Sequence, residues 1–166
     1  MTNIVLEKLQ SKDMEETYSF VLQCRSSLFP MLDSKPLPID LERFKEFYID
    51  DPKGSFLIAR TEEGVLIGTI GMRVYDHRFE VLKYGEQKIV EITRLFVQTE
   101  YRRHGLGTTL FDELYIEAKN KGIEIMYLHT HPFLPGAQVF WEKQGFHLMK
   151  QTMEEEFVTL HMDLNL

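Results

Sequence analysis

A chain of 166 residues with 43% hydrophobic and 27% charged residues is long enough for one core and too apolar to be disordered. Its net charge of −7 argues against a nucleic-acid module, and a single cysteine, Cys24, excludes an internal disulfide. No run of about 18 apolar residues occurs, so no membrane span is expected. Met1-Thr2-Asn3-Ile4 holds neither a basic region nor a long apolar run, so no signal peptide is expected and a reducing cytoplasm is the default.

In chain order, Ile4 to Leu9 alternates weakly and reads as a short strand. Asp13 can cap a helix that runs to about Ser27 and sets Tyr18, Val21, Leu22 and Cys24 on one side. Three prolines make Phe29 to Pro38 a loop, and Leu41, Phe44 and Phe47 predict a second helix over Ile39 to Tyr48. Strands follow at Ser55–Arg60 and Val65–Val74, joined by the turn Thr61-Glu62-Glu63-Gly64. Residues 76 to 87 are polar and broken by Gly85, which predicts an exposed connection, and Lys88 to Val97 reads as the next strand.

A helix is expected over Thr108 to Lys121, with Leu110, Phe111, Leu114 and Ala118 inward and Gly122 as its stop. Ile123 to His131 is a strand, Ala137 to Gln144 a short helix, and Phe146–Thr152 and Phe157–Leu164 a last hairpin around Glu154-Glu155-Glu156. The order β-α-α-β-β-β-α-β-α-β-β mixes hairpins with crossovers. It predicts one α+β domain over residues 1–166, with a mixed twisted sheet of about seven strands flanked by four helices.

One stretch carries chemistry. Arg102-Arg103-His104-Gly105-Leu106-Gly107 lies between a strand and a helix. A chain that turns there through two glycines aims bare backbone N–H groups and the positive end of a helix dipole at one point, a place suited to a phosphate. A Rossmann fingerprint wants a third glycine where Leu110 stands, and a P-loop wants Gly-Lys-Ser/Thr where Gly107-Thr108-Thr109 stands, so both are the weaker readings.

Val97-x-x-x-Tyr101-Arg102-x-x-Gly105-x-Gly107 resembles the acetyl-CoA-binding motif of the GCN5-related N-acetyltransferase (GNAT) family. Downstream, Ala137-x-x-Phe140-Trp141-Glu142-Lys143-Gln144-Gly145-Phe146 is similar to the family's second motif. The resemblance covers nearly the whole chain and implies a sheet splayed between its fourth and fifth strands. It implies that the backbone of Arg103, His104, Gly105, Leu106, Gly107 and Thr108 binds the coenzyme A pyrophosphate, with hydroxyls of Thr108 and Thr109 as further donors. Arg102 either reaches a phosphate or fixes the loop. Backbone N–H groups at Leu95, Phe96 and Val97 would hold the pantetheine and polarise the thioester carbonyl, beside Trp141.

Glu91, eleven residues before Arg102, matches the family's glutamate base. It is an acid inside an otherwise apolar strand, and burial disfavours the charged form of a carboxyl group. The alternative is a solvent-facing Glu. Trp141 occupies the position where many relatives carry a tyrosine that protonates the leaving thiolate, and an indole cannot do this. His129 and His131, two apart on one strand face, are candidate substitutes. As loop histidines they would have no role, and as a metal pair they lack a third ligand, so no metal is expected. The acceptor groove would lie between Phe29–Pro38, with Phe29, Met31 and Leu32 beside Asp33, and Thr152–Phe157. The resemblance thus implies acetyl transfer to a primary amine of a small molecule or peptide, with a homodimer through the last strands as a further expectation. A non-catalytic acyl-CoA-binding module is the rival reading, and an acyltransferase using a longer acyl group or an oxygen acceptor is a third.

Overall fold

The computed structural model describes residues 3–166. Met1 and Thr2, where the signal-peptide reading begins, lie outside the described residues. Its elements are β1 (Ile4–Lys8), α1 (Met14–Leu28), α2 (Ile39–Glu42), β2 (Ser55–Thr61), β3 (Leu66–Val74), β4 (Ile89–Val97), α3 (Leu106–Asn120), β5 (Ile125–Thr130), α4 (Ala137–Lys143), β6 (His147–Glu154) and β7 (Phe157–Asn165). The seven strands form one sheet in the order β1-β2-β3-β4-β5-β7-β6. Every neighbouring pair is antiparallel except β4–β5. The expected mixed α+β sheet is therefore present, with the parallel pair at its centre.

Helices α1, α3 and α4 match the expected spans to within two residues. The second helix does not. α2 ends at Glu42, Arg43 leaves helical geometry, and a π-helical turn follows at Glu46–Asp50. Packing explains the break: Phe44 and Tyr48 both bury against Phe56, with ring centroids 5.0 Å apart in each pair, while the Tyr48 hydroxyl reaches back to Asp40. A regular helix keeps residues 40, 44 and 48 on one face but sets 40 about 12 Å along the axis from 48, so the break helps bring the Tyr48 hydroxyl to Asp40.

Two apolar layers sandwich the sheet. α3 and α4 cover one face through Leu110, Phe111, Leu114, Ala118 and Trp141, packed on Ile67, Val90, Ile92, Met126 and Leu128. α1 and α2 cover the other face over β1 to β4, through Val21, Leu41 and Phe44 on Phe56, Ile58 and Phe96. The rest of that second face is closed by the segment between β3 and β4. This stretch, read from sequence as exposed, lays Phe79, Leu82 and Tyr84 over Tyr75, Ile125 and Tyr127. Its three apolar residues have no helical or strand period, so their burial left no signal in the pattern.

β4 carries the irregularity that shapes the centre. Thr69 opposes Phe96 and Gly71 opposes Thr93, so β4 spends one residue more than β3 over the same stretch. The extra residue falls at Arg94, whose φ of 53° is left-handed. The bulge switches parity: Val90 and Ile92 face α3, Glu91 and Thr93 face α1, and after the bulge Leu95 and Val97 face α3 while Phe96 faces α1. Beyond Glu91↔Tyr127 no residue of β4 pairs with β5, and the two strands part.

Buried bonds hold this bulge. The Arg94 guanidinium donates to both Asp40 carboxylate oxygens at 2.9 and 2.6 Å, Tyr48 donates to Asp40 at 2.7 Å, and Thr69 Oγ1 donates to the Arg94 carbonyl at 2.8 Å. Burial alone would raise the Asp40 carboxyl, but these donors outweigh it and hold it below its ordinary value. Asp40→Ala strands the Arg94 charge and should cost about 3 kcal/mol in urea unfolding. A loss under about 1 kcal/mol would show that the bulge does not need this anchor.

Candidate active site

The loop after β4 has the geometry its sequence implies. Thr99–Tyr101 forms a tight turn, Arg103 and Gly105 take left-handed φ values of 63° and 81°, and α3 starts at Leu106. The first backbone group to bond back into α3 is the Thr109 N–H, which donates to the Gly105 carbonyl at 2.9 Å. The N–H groups of Leu106, Gly107 and Thr108 precede it and have no intrahelical acceptor. A Cβ at Gly105 would meet nothing, and one at Gly107 would touch the Phe140 ring at 3.4 Å, so the glycines keep the approach to these donors clear. The site therefore fits a phosphate group. Arg102 Nε donates to the Val97 carbonyl at 2.9 Å, which ties the loop to the end of β4 and leaves the rest of the guanidinium exposed. Thr109 Oγ1 is spent on the Gly105 carbonyl at 3.0 Å, while Thr108 Oγ1 is 3.4 Å from Gln144 Nε2 of α4. Arg103 and His104 are exposed.

Upstream of the loop, the parting of β4 and β5 leaves the edge of β4 from Ile92 to Val97 without a ladder partner on that side. Leu95, Phe96 and Val97 lie on this edge and lead directly into Arg102. Unpaired N–H groups on this edge and the helix-start N–H groups are two sets of donors, separated by a turn in which the N–H groups of Gln98, Tyr101 and Arg102 are bonded within the protein.

At the mouth of the gap sits Glu91, 2% exposed and opposite Tyr127. It is not in apolar surroundings. Arg78, from the segment over the sheet, donates to both carboxylate oxygens at 2.7 and 2.8 Å, and a third side-chain hydrogen bond ties Arg78 to Asp76 at 2.9 Å. Arg78 was invisible as a partner in sequence because it lies in a stretch with no period. His129 Nδ1 stands 3.5 Å from the other side of Glu91 Oε2 and makes no hydrogen bond. Burial pushes His129 down to about 4, opposed by Glu91 and assisted by Arg78, His131 and His161. His129 is therefore neutral near pH 7 and carries no spare proton.

His131 belongs to a different patch. Its Nδ1–H donates to the Val158 carbonyl at 2.9 Å, which leaves Nε2 as an acceptor. Its ring stacks on Phe133 at 5.1 Å and meets Phe29 at 6.0 Å and Phe157 at 6.1 Å. The loop after α1 and the last hairpin are thus brought together around His131. Asp33 accepts from Ser26 Oγ at 2.9 Å at the edge of this wall.

A buried chain continues behind it. Thr152 Oγ1 donates to Glu154 at 2.9 Å, so His161 Nε2–H must donate to Thr152 at 2.7 Å, and His161 Nδ1 accepts from the Tyr127 hydroxyl at 2.6 Å. His161 is fixed as one neutral tautomer, and burial lowers its pKa.

A profile described as the acetyltransferase (GNAT) family matches residues 15–146. The chain belongs to the GNAT acetyltransferase family. Solved structures agree on the fold. A GNAT acetyltransferase from Staphylococcus aureus Mu50 superposes with a TM-score of 0.74 at 22% identity, over 98% of this chain and 99% of that one. The NatC complex bound to Gag peptide and CoA gives 0.75 at 20%, over 99% of both chains. NAA60 from Arabidopsis thaliana in complex with acetyl-CoA gives 0.72 at 16%, over 99% of both. No curated protein sequence matches the chain significantly.

Within the GNAT frame, Trp141 stands apart from the other candidates. It is 8% exposed and packs against Phe140, Phe111 and Phe146 on the α3 face, whereas Glu91, His129 and His131 line the α1 face. Among the described residues no group of three His, Cys, Asp or Glu side chains is placed to hold a metal, and no helix is long and apolar enough to cross a membrane. The depressed histidines set a sign for pH. Between 6.5 and about 4 the unfolded His129 binds a proton that the folded one refuses, so stability is complete above that window and is lost on acidification through it. Urea midpoints at about pH 7.5, 6 and 4.5 should fall in that order, and His129→Gln should flatten the trend. An unchanged slope in the variant would place the titration elsewhere.

Proposed function

We propose that this protein transfers an acetyl group from acetyl-CoA directly to a primary amine of a small molecule or peptide. The observation that supports it is the succession of two donor sets, the free edge of β4 and the open start of α3. Acetyl-CoA brings an activated thioester and a pyrophosphate. Gly105, Leu106, Gly107 and Thr108 hold the pyrophosphate with backbone N–H groups, and Arg102 stiffens the loop. Leu95 and Val97 hold the pantetheine and polarise the thioester carbonyl, while Trp141 and Phe140 form a wall beside Gly107.

Glu91 and His129 work as a pair on the incoming amine. Glu91, held in place by Arg78, takes the ammonium proton, and the neutral His129 beside it accepts a hydrogen bond from the amine. His131, with a free Nε2, and water relay a proton to the departing thiolate, whose pKa of about 8.5 makes it a tolerable leaving group without a tyrosine.

Calorimetry should show acetyl-CoA binding in the micromolar range. Gly105→Val, which forces a branched side chain to the left-handed φ of 81°, should weaken binding by about tenfold or more and cost about 1–2 kcal/mol of stability through backbone strain. No binding by the wild-type chain at high micromolar acetyl-CoA would sink the reading. Thiol release with an amine panel separates an enzyme from a non-catalytic binding module. Glu91→Gln should lower kcat/KM by about 10²-fold and alter the pH–rate profile. An unchanged profile would remove Glu91 from the proton path.

A further inference from the structure

Arg25 is a cation that the fold buries without a partner. It lies on the sheet-facing stripe of α1, where Thr17, Val21 and Arg25 are the buried residues at four-residue spacing. It is 7% exposed, yet its side chain makes no hydrogen bond or ion pair with any described residue. Its nitrogens are also absent from the fully enclosed polar atoms that lack partners, so the guanidinium keeps some contact with solvent rather than being sealed in the core. Burial and the neighbouring Arg94 disfavour its charge, and Asp33 and Asp40 only partly offset them. Asp40 is already spent on Arg94 and Tyr48, and Asp33 on Ser26.

Arg25 lies on the α1 face of the sheet, the face that also carries Glu91 and His131. One turn after Arg25, Phe29 reaches His131 and Phe133 beyond the end of β5, while Arg25 itself neighbours Arg94 on β4. The last two turns of α1 therefore bridge the gap between the parted strands. A guanidinium presents a fork of donors that matches an oxyanion, and leaving such a group buried without one is unfavourable. Resting on the acetyltransferase reading above, we propose that Arg25 receives an oxyanion of the acceptor, so that the substrate is an amine that also carries a carboxylate or phosphate group.

The test uses the intact protein with acetyl-CoA and amines in matched pairs: β-alanine against its amide, glutamate against glutamine, and phosphoethanolamine against ethanolamine. The anionic member of the carboxylate or the phosphate pair should have the higher kcat/KM by about tenfold or more, and the responding pair identifies the oxyanion. Arg25→Met should erase that preference by raising KM for the acceptor while leaving the Kd for acetyl-CoA unchanged, and Arg25→Lys should restore part of it. Turnover with no preference for the anionic members overturns the inference and leaves the acetyltransferase reading intact. A loss of acetyl-CoA affinity in Arg25→Met would assign Arg25 to the donor side instead and also overturn it. Absence of turnover with any amine would count against the acetyltransferase reading itself, and calorimetric acetyl-CoA binding then shows whether the donor site survives.

Discussion

The ion pair between Arg94 and Asp40 governs the centre of this molecule. A strand paired on both sides has no donors to offer a ligand. One extra residue in β4 increases its local twist and carries its second half away from β5, and that residue is Arg94 in a left-handed conformation. Nothing in an isolated strand would keep a β-substituted residue there. Asp40, presented by the short α2, grips both arms of the guanidinium, and Tyr48 and Thr69 close the arrangement. The broken second helix is part of the same device, since it lets Asp40 and Tyr48 meet each other and reach β4 through Arg94 and Thr93.

Much of the fold was legible because it rests on period and punctuation. Alternating strands, the Gly64 and Gly122 stops and the apolar stripe of α3 each leave a local mark, and the boundaries agree within a residue or two for most elements. The geometry of the glycine loop was legible for the same reason, since two glycines at a strand-to-helix junction constrain backbone directly. What the chain did not disclose is long-range. Arg78 and Glu91 are 13 residues apart with no pattern linking them, and Arg94 and Asp40 are 54 apart. A charge inside an apolar strand announces that a partner exists and does not say which one. Arg25 is the converse case: in an amphipathic helix an arginine reads as solvent-facing, and only the packing of α1 reveals that it is turned inward.

The sheet divides the labour. On the α3 face lie the glycine loop, α4 and Trp141, and on the α1 face lie Glu91, the histidines and the aromatic wall around His131. The gap between β4 and β5 joins the two. Placing the indole on the first face gives it a packing task among Phe111, Phe140 and Phe146, where a hydroxyl would have needed a partner. The histidine pair splits along similar lines, with His129 turned toward Glu91 and His131 toward the groove.

The connection between β3 and β4 is anchored at two points, by Arg78 on Glu91 and by Tyr84 on Asp163. It adds no residue to the glycine loop and none to the free edge of β4. Insertions or exchanges in it would therefore remodel the roof over Glu91 and Tyr127 while the glycine loop and the free edge of β4 stayed as they were. A scaffold arranged in this way can acquire a new clientele by editing one surface segment, with no need to rebuild the machinery that holds the common reagent.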